Sequence, residues 1–225
     1  LTVSTAVHQV LQENGCQPQA VAGFSLGEYS ALVAAGVIPF QDALRLVQKR
    51  GLMMQEAVPP GRGGMAAIIG LNRDEVEEVC IRAMSAGVVA PANYNCPGQV
   101  VISGAKSAVD RAVELAMEAG ARRAVPLKVS APFHCPLMVP VEEQLGWELQ
   151  KTDLSDPEIP VVVNRTGEML TTKDGLRQAM IEQVSNPVRW EESMDTLLKM
   201  GFDIFVEAGP GRVLTGLLRK INSAV

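Results

Sequence analysis

Histidine is scarce in this 225-residue chain, with His8 and His134 the two present. Two histidines make a metal site hard to build. The four cysteines, Cys16, Cys80, Cys96 and Cys135, contain no Cys-x-x-Cys pair, so zinc is not expected. Scattered in this way, they read as small reduced hydrophobes of a cytoplasmic protein. No apolar run approaches the roughly 20 residues that span a bilayer. The N-terminus has no charged region followed by an apolar one, so no signal peptide is read there. The net charge of −5, with signs mixed throughout, argues against a nucleic-acid partner. Aromatic residues are only 4% of the chain, yet 47% is hydrophobic, ample for the buried core of an α/β domain that carries an inserted subdomain.

Against that background one stretch organises the rest: Gly23-Phe24-Ser25-Leu26-Gly27-Glu28-Tyr29-Ser30-Ala31-Leu32. A short apolar run, Ala20-Val21-Ala22, precedes it, and a helical pattern ending at Gly36 follows. Strand, tight turn and helix with Gly-x-Ser-x-Gly at the turn is the context in which that motif carries a nucleophile. A serine on so sharp a turn has its hydroxyl lifted clear of the sheet edge. Gly23 and Gly27 are expected to remove Cβ atoms that would collide where strand and helix pass closest. The helix then aims its N-terminal N–H groups at any oxyanion formed near Ser25.

Residues 1–15 read as a helix that opens on Leu1 in mid-pattern, as a cut end would. A second helix, from about Pro39 to Val58, places Ala43, Val47, Arg50 and Met54 on one face. A guanidinium on an apolar face needs an anion or several carbonyls. By position alone Arg50 is either a structural ion-pair member or a receptor for an acidic substrate. Residues 63–128 follow the order β-α-β-β-α-β, with strands Met65–Leu71, Val88–Asn93, Gln99–Ser103 and Arg122–Lys128. The expected architecture is a parallel-sheet, α/β-hydrolase-like core (1–61 and 129–225) with a ferredoxin-like subdomain (62–128) inserted as a lid. Beyond the insert, His134 lies between Pro132 and Pro136, which fix the backbone around it. It is the one serious candidate for the base that a serine nucleophile needs. A strand over Ile159–Val163 ends at Asn164, and another is expected at Ile204–Glu207.

The ordered set Gly23-Phe24-Ser25-Leu26-Gly27-Glu28, Gln48-Lys49-Arg50-Gly51, Asn93-Tyr94-Asn95-Cys96-Pro97-Gly98-Gln99, Pro132-Phe133-His134, Asn186-Pro187-Val188-Arg189-Trp190 and Glu207-Ala208-Gly209-Pro210-Gly211 resembles that of the malonyl-CoA:acyl carrier protein transacylases. The resemblance covers the whole chain. It implies an acyltransferase of fatty-acid synthesis, with malonyl-CoA and acyl carrier protein as partners and no cofactor. By the same resemblance Ser25 accepts the acyl group and His134 is its base. Arg50 grips the malonyl carboxylate, the Gln183 main-chain carbonyl orients the histidine, and the Leu26 N–H is an oxyanion donor.

Two departures stand out. Phe24 occupies a position where the family usually has histidine, and the family's first strand, whose Gly-Gln-Gly turn brings a second oxyanion donor, is expected upstream of Leu1. Two rival readings are a serine esterase or thioesterase, which needs no arginine in the pocket, and an inactive module that binds acyl carrier protein. Ser25→Ala should abolish labelling by malonyl-CoA, read by mass spectrometry, while the fold persists. His134→Ala should slow acylation by roughly 10²–10⁴-fold. Normal labelling of the Ser25→Ala protein would remove the serine from the reaction.

Overall fold

The computed structural model describes residues 1–129 and 131–225. In chain order its elements are α1 (Thr2–Glu13), β1 (Val21–Ala22), α2 (Leu26–Ala34), α3 (Phe40–Glu56), β2 (Gly63–Ile69), α4 (Arg73–Ala83), β3 (Val89–Cys96), β4 (Gln99–Ala105), α5 (Lys106–Glu118) and β5 (Arg123–Pro126). They continue with α6 (Val139–Gln150), β6 (Val161–Val162), β7 (Met169–Leu170), α7 (Lys173–Gln183), β8 (Val188–Arg189), α8 (Trp190–Lys199) and α9 (Val213–Ile221).

Local chemistry sets several of these boundaries. Asn72 and Glu75 close a capping box at the start of α4, each side chain bonding the other's backbone N–H. Thr172 caps α7 by accepting from the Gly175 N–H. Glu207 turns back to accept from the backbone N–H groups of Leu214 and Thr215 and from the Thr215 hydroxyl. Its carboxylate thus caps α9, which accounts for the acidic residue at the head of the Gly209-Pro210-Gly211 turn.

The larger sheet runs β5-β2-β4-β3-β8. Its β2/β5, β2/β4 and β3/β4 pairs are antiparallel, while β3 and β8 are parallel in the register Asn93↔Val188 and Tyr94↔Arg189. One face carries α4 and α5 over a core that includes Ala66, Ile68, Ile102, Ala112 and Leu115. The first four strands come from residues 63–128, as expected, but the fifth comes from beyond them. The stretch is therefore not hydrogen-bonded as a closed unit, and β8 stitches it to the rest of the chain. Side chains reinforce that seam. The Arg73 guanidinium lies over the Tyr94 ring and is bonded to Glu77 and Glu192, and Glu192 also pairs with Arg189.

The smaller sheet runs β1-β6-β7, and here the expectation of a purely parallel core sheet is corrected. β1 and β6 are parallel, but β6 and β7 are antiparallel. The cause is a tight reversal after Val163, where Gly167 sits at φ 71 and donates its N–H to the Val163 carbonyl. The strand expected at Ile204–Glu207 is likewise absent. This stretch belongs to no sheet among the described residues, and Ile204 is 80% exposed.

Helices α2, α3, α6 and α7 pack with β6 around Tyr29, Leu32, Met54, Leu145, Val161 and Met180. Phe133 touches this cluster and also Met65, Ala92 and Val101, on the larger sheet's other face. It therefore wedges the loop before α6 between the two layers.

At the turn after β1 the two glycines differ. A Cβ on Gly23 would lie 2.0 Å from the Gly27 carbonyl oxygen and 2.4 Å from the Glu28 nitrogen, whereas one on Gly27 would meet nothing within 4 Å. The close approach belongs to Gly23 alone, because Gly27 already lies on the outside of the first turn of α2. Gly23→Ala should therefore cost upward of about 2 kcal/mol, since backbone atoms cannot step aside. Gly27→Ala should be neutral or stabilising by up to about 1 kcal/mol. Urea unfolding of both variants checks the contrast, and equal losses would refute it.

Candidate active site

Ser25 stands between β1 and α2 with φ 51 and ψ −108. Among the described residues it shares a positive φ with just one other non-glycine, His134, at φ 57. Backbone held in so sparsely populated a region costs of order 1–3 kcal/mol and persists only where its surroundings enforce it. The two strained residues meet: Ser25 Oγ lies 2.6 Å from His134 Nε2. His134 Nδ1 lies 2.8 Å from the main-chain carbonyl of Gln183. A carbonyl only accepts, so Nδ1 carries the hydrogen and Nε2 is left to accept from the serine hydroxyl. Burial, with the Arg50 cation adding to it, pushes the His134 pKa down to about 4, against bonds from Gln183 and Asn186 that raise it. The imidazole is neutral at pH 7 and ready to take a proton.

Arg50 is buried on the inner face of α3 and reaches the same point. Its Nη2 donates to the Gln183 side-chain oxygen at 2.8 Å and to Ser25 Oγ at 3.4 Å. The Tyr29 ring lies 5.5 Å from the guanidinium carbon. No carboxylate pairs with Arg50 within the described residues, and its Nε–H is buried without a partner. A buried cation with spare donors is arranged to receive an anion. Gln183 joins the pieces, since its Nε2 also donates to the Ser25 carbonyl at 3.1 Å. Around the turn, the Gly27 and Glu28 N–H groups bond to Phe24 and Ser25 carbonyls. Within the described bonds the Leu26 N–H is left free at the mouth of the helix, on a residue 40% exposed. Phe24, where histidine was expected from the resemblance, packs its ring against Trp190 with centroids 5.5 Å apart.

A family model described as an acyl transferase domain matches residues 1–223. The chain is 48% identical over 223 residues to the malonyl CoA-acyl carrier protein transacylase of Bacillus subtilis, covering 99% of this chain and 70% of that protein. To the same-named protein of Escherichia coli strain K12 it is 50% identical over 222 residues, covering 98% and 72%. The chain belongs to the malonyl CoA-acyl carrier protein transacylase family. A crystal structure of an acyl carrier protein S-malonyltransferase from Vibrio cholerae superposes with a TM-score of 0.97 at 46% identity, covering 99% of this chain and 73% of that one. A second solved structure, of a type II PKS acyl-carrier protein in complex with its malonyl-transacylase, gives 0.96 at 46%, covering 99% and 72%.

Two members of this transacylase's site were not singled out from sequence. Glu28, inside the serine motif, is 1% exposed, and Asn164, at the end of β6, is 0% exposed. Glu28 Oε2 accepts from the Asn164 backbone N–H at 2.6 Å. Burial raises the Glu28 pKa to about 7, against the Asn164 bond and the nearby Arg50, which lower it. The available signals were an acid in the first turn of a buried helix and an amide at the carboxyl end of a sheet strand, where α/β proteins gather ligand-facing groups.

The two shifted groups pull stability in opposite directions. His134, depressed from 6.5 to about 4, adds stability above pH 6.5 that is lost as pH falls through about 4. Glu28, raised from 4.5 to about 7, adds stability below pH 4.5 that is lost as pH rises through about 7. Between those limits the two partly cancel. Glu28→Gln should unmask the histidine, so that the unfolding free energy falls more steeply than in wild type between about pH 7 and pH 5. Denaturant titrations at both pH values provide the measurement, and parallel slopes would mean that Glu28 is ionised throughout.

Proposed function

We propose that the chain carries a malonyl group from malonyl-CoA to the phosphopantetheine thiol of an acyl carrier protein, through an ester on Ser25, supplying fatty-acid synthesis. The observation that carries this reading is the meeting of a serine–histidine pair with a buried arginine that has no carboxylate partner among the described residues, all within 3.4 Å of one oxygen. A serine hydrolase of simple esters has no use for that cation.

The steps follow from the geometry. Malonyl-CoA enters with its free carboxylate on Arg50, held by parallel N–H···O bonds. His134 Nε2 takes the Ser25 proton as Oγ attacks the thioester carbonyl. The carbonyl oxygen becomes an oxyanion facing the Leu26 N–H and the N-terminus of α2. Collapse breaks the carbon–sulfur bond, and CoA leaves with the proton that His134 returns. In the second half the carrier's thiol gives its proton to His134, its sulfur attacks the ester, and Ser25 Oγ departs reprotonated. The Gln183 carbonyl stabilises the imidazolium in both halves, so no acid residue is required as a third member.

The fold reading that accompanies this is a hydrolase-like core, 1–61 and 129–225, with a ferredoxin-like subdomain over 62–128 forming one wall of the cleft. The strand order β5-β2-β4-β3 supports it, as does Phe133, packed against that subdomain one residue before His134.

Arg50 separates an acid-selective transferase from a general acyl one. Arg50→Ala should lower the ratio of kcat/KM for malonyl-CoA to that for acetyl-CoA by more than tenfold, about 1.4 kcal/mol, because the acetyl methyl gains nothing from a cation. Arg50→Lys should recover little of it, being a point charge without the planar fork. A ratio that stays within tenfold would make Arg50 a structural residue and remove the main physical support for a malonyl substrate.

A further inference from the structure

The strained conformation of Ser25 has to be enforced by something, and two side chains hold its backbone: Gln183 on the carbonyl and Asn164 on the N–H, the latter also reaching back to Gly23. Asn164 lies two residues beyond β6, which pairs in parallel with β1 in the register Ala22↔Val162. Its carboxamide is fully buried and engaged at both ends. Oδ1 accepts from the Ser25 backbone N–H at 2.6 Å, and Nδ2 donates to the Gly23 carbonyl at 2.6 Å. These partners dictate the amide's orientation, since one can only donate and the other only accept. Its own backbone is held on both sides. The Asn164 N–H donates to Glu28 at 2.6 Å, and the Asn164 carbonyl accepts from the Arg189 N–H at 2.9 Å.

We propose that Asn164 is the positioning residue of the acyl-transfer step: its carboxamide clamps the backbone on both sides of Phe24 and holds Ser25 where Oγ meets His134 and Arg50. The proposal rests on Ser25 being the nucleophile. It goes further in two ways. The clamp spans the Gly23 carbonyl and the Ser25 N–H, so it fixes the Phe24–Ser25 peptide plane, while Gln183 Nε2 holds the Ser25 carbonyl, and φ at Ser25 is set between the two. It also occupies the Ser25 N–H, so that group cannot serve the oxyanion, and the donor this turn offers the developing charge is the Leu26 N–H. Glu28 contributes indirectly, by fixing the amide's backbone to the same helix that the nucleophile opens.

The test uses the whole protein carrying Asn164→Ala or Asn164→Asp, the second retaining size and the acceptor for Ser25 N–H. Three quantities are read: the single-turnover rate of Ser25 malonylation at saturating malonyl-CoA, the rate of Ser25 sulfonylation by phenylmethylsulfonyl fluoride, and the affinity for malonyl-CoA in a Ser25→Ala background. Misplacement of a reacting atom by about 1 Å costs on the order of 10²-fold, so Asn164→Ala should slow malonylation by about that factor. Sulfonylation should slow with it, although it makes no use of Arg50. Malonyl-CoA affinity should stay within about threefold, and Asn164→Asp should recover part of both rates. Wild-type protein that takes no malonyl on Ser25 would sink the nucleophile reading itself. A labelled wild type beside variants that label equally fast would sink only the clamp. So would affinity lost in step with rate, sulfonylation left unchanged, or failure of both variants to fold, each of which would make Asn164 structural.

Discussion

The close pass of β1 against the start of α2 is the constraint on which the rest depends. Chain direction has to reverse within one residue, and Ser25 absorbs the reversal at φ 51. Gly23 permits it, because a side chain there would occupy the space of the Gly27 carbonyl. The outcome is a hydroxyl that projects from a rigid corner, close to the N-terminus of a helix, and cannot swing away with a flexible loop. Strain at such a corner is tolerated because neighbouring elements lock it, with α7 supplying Gln183 and the end of β6 supplying Asn164.

Around that corner the polar groups form one connected set rather than a list of contacts. Gln183 uses its main chain for His134 and its side chain for both Arg50 and Ser25. Dry surroundings give the set its chemical character. Burial keeps the imidazole neutral and pushes the Glu28 carboxyl up to about 7. Arg50 lies in the same environment, where its guanidinium bonds an amide oxygen and a hydroxyl and faces an aromatic ring. In a low-dielectric site those neutral partners compensate the cation only in part, and an incoming carboxylate is the group best able to complete it.

Much of this was legible before any coordinates. Ser25 and His134 were reachable from residue type and local pattern, an elbow motif in strand–helix context and a lone histidine between prolines; a cation on an apolar helical face marked Arg50 but left its role open until the resemblance assigned it. The order of elements through residues 63–128 was also readable, with boundaries displaced by at most three residues. What was misread has a common cause. The antiparallel β7, the unpaired stretch at 204–207 and the union of β8 with the larger sheet all concern which strand lies beside which. Two-residue strands carry too little alternating pattern to announce a partner. Gly27 was misjudged for a similar reason, since the motif names two glycines and only three-dimensional packing tells which one is crowded.

The sequence by itself determined the chemistry available at the turn: a serine at a bend, one usable histidine, and a buried arginine, with spacings set by local helix and strand periodicity. Tertiary structure decided how those groups are held. Asn164 is 139 positions from Ser25, Gln183 is 133 from Arg50, and His134 is 109 from the serine it meets. Contacts of that span leave no periodic trace in the chain, because nothing in local backbone geometry relates the two ends. Their existence is settled only when the sheets and helices close around them and most buried polar groups find partners.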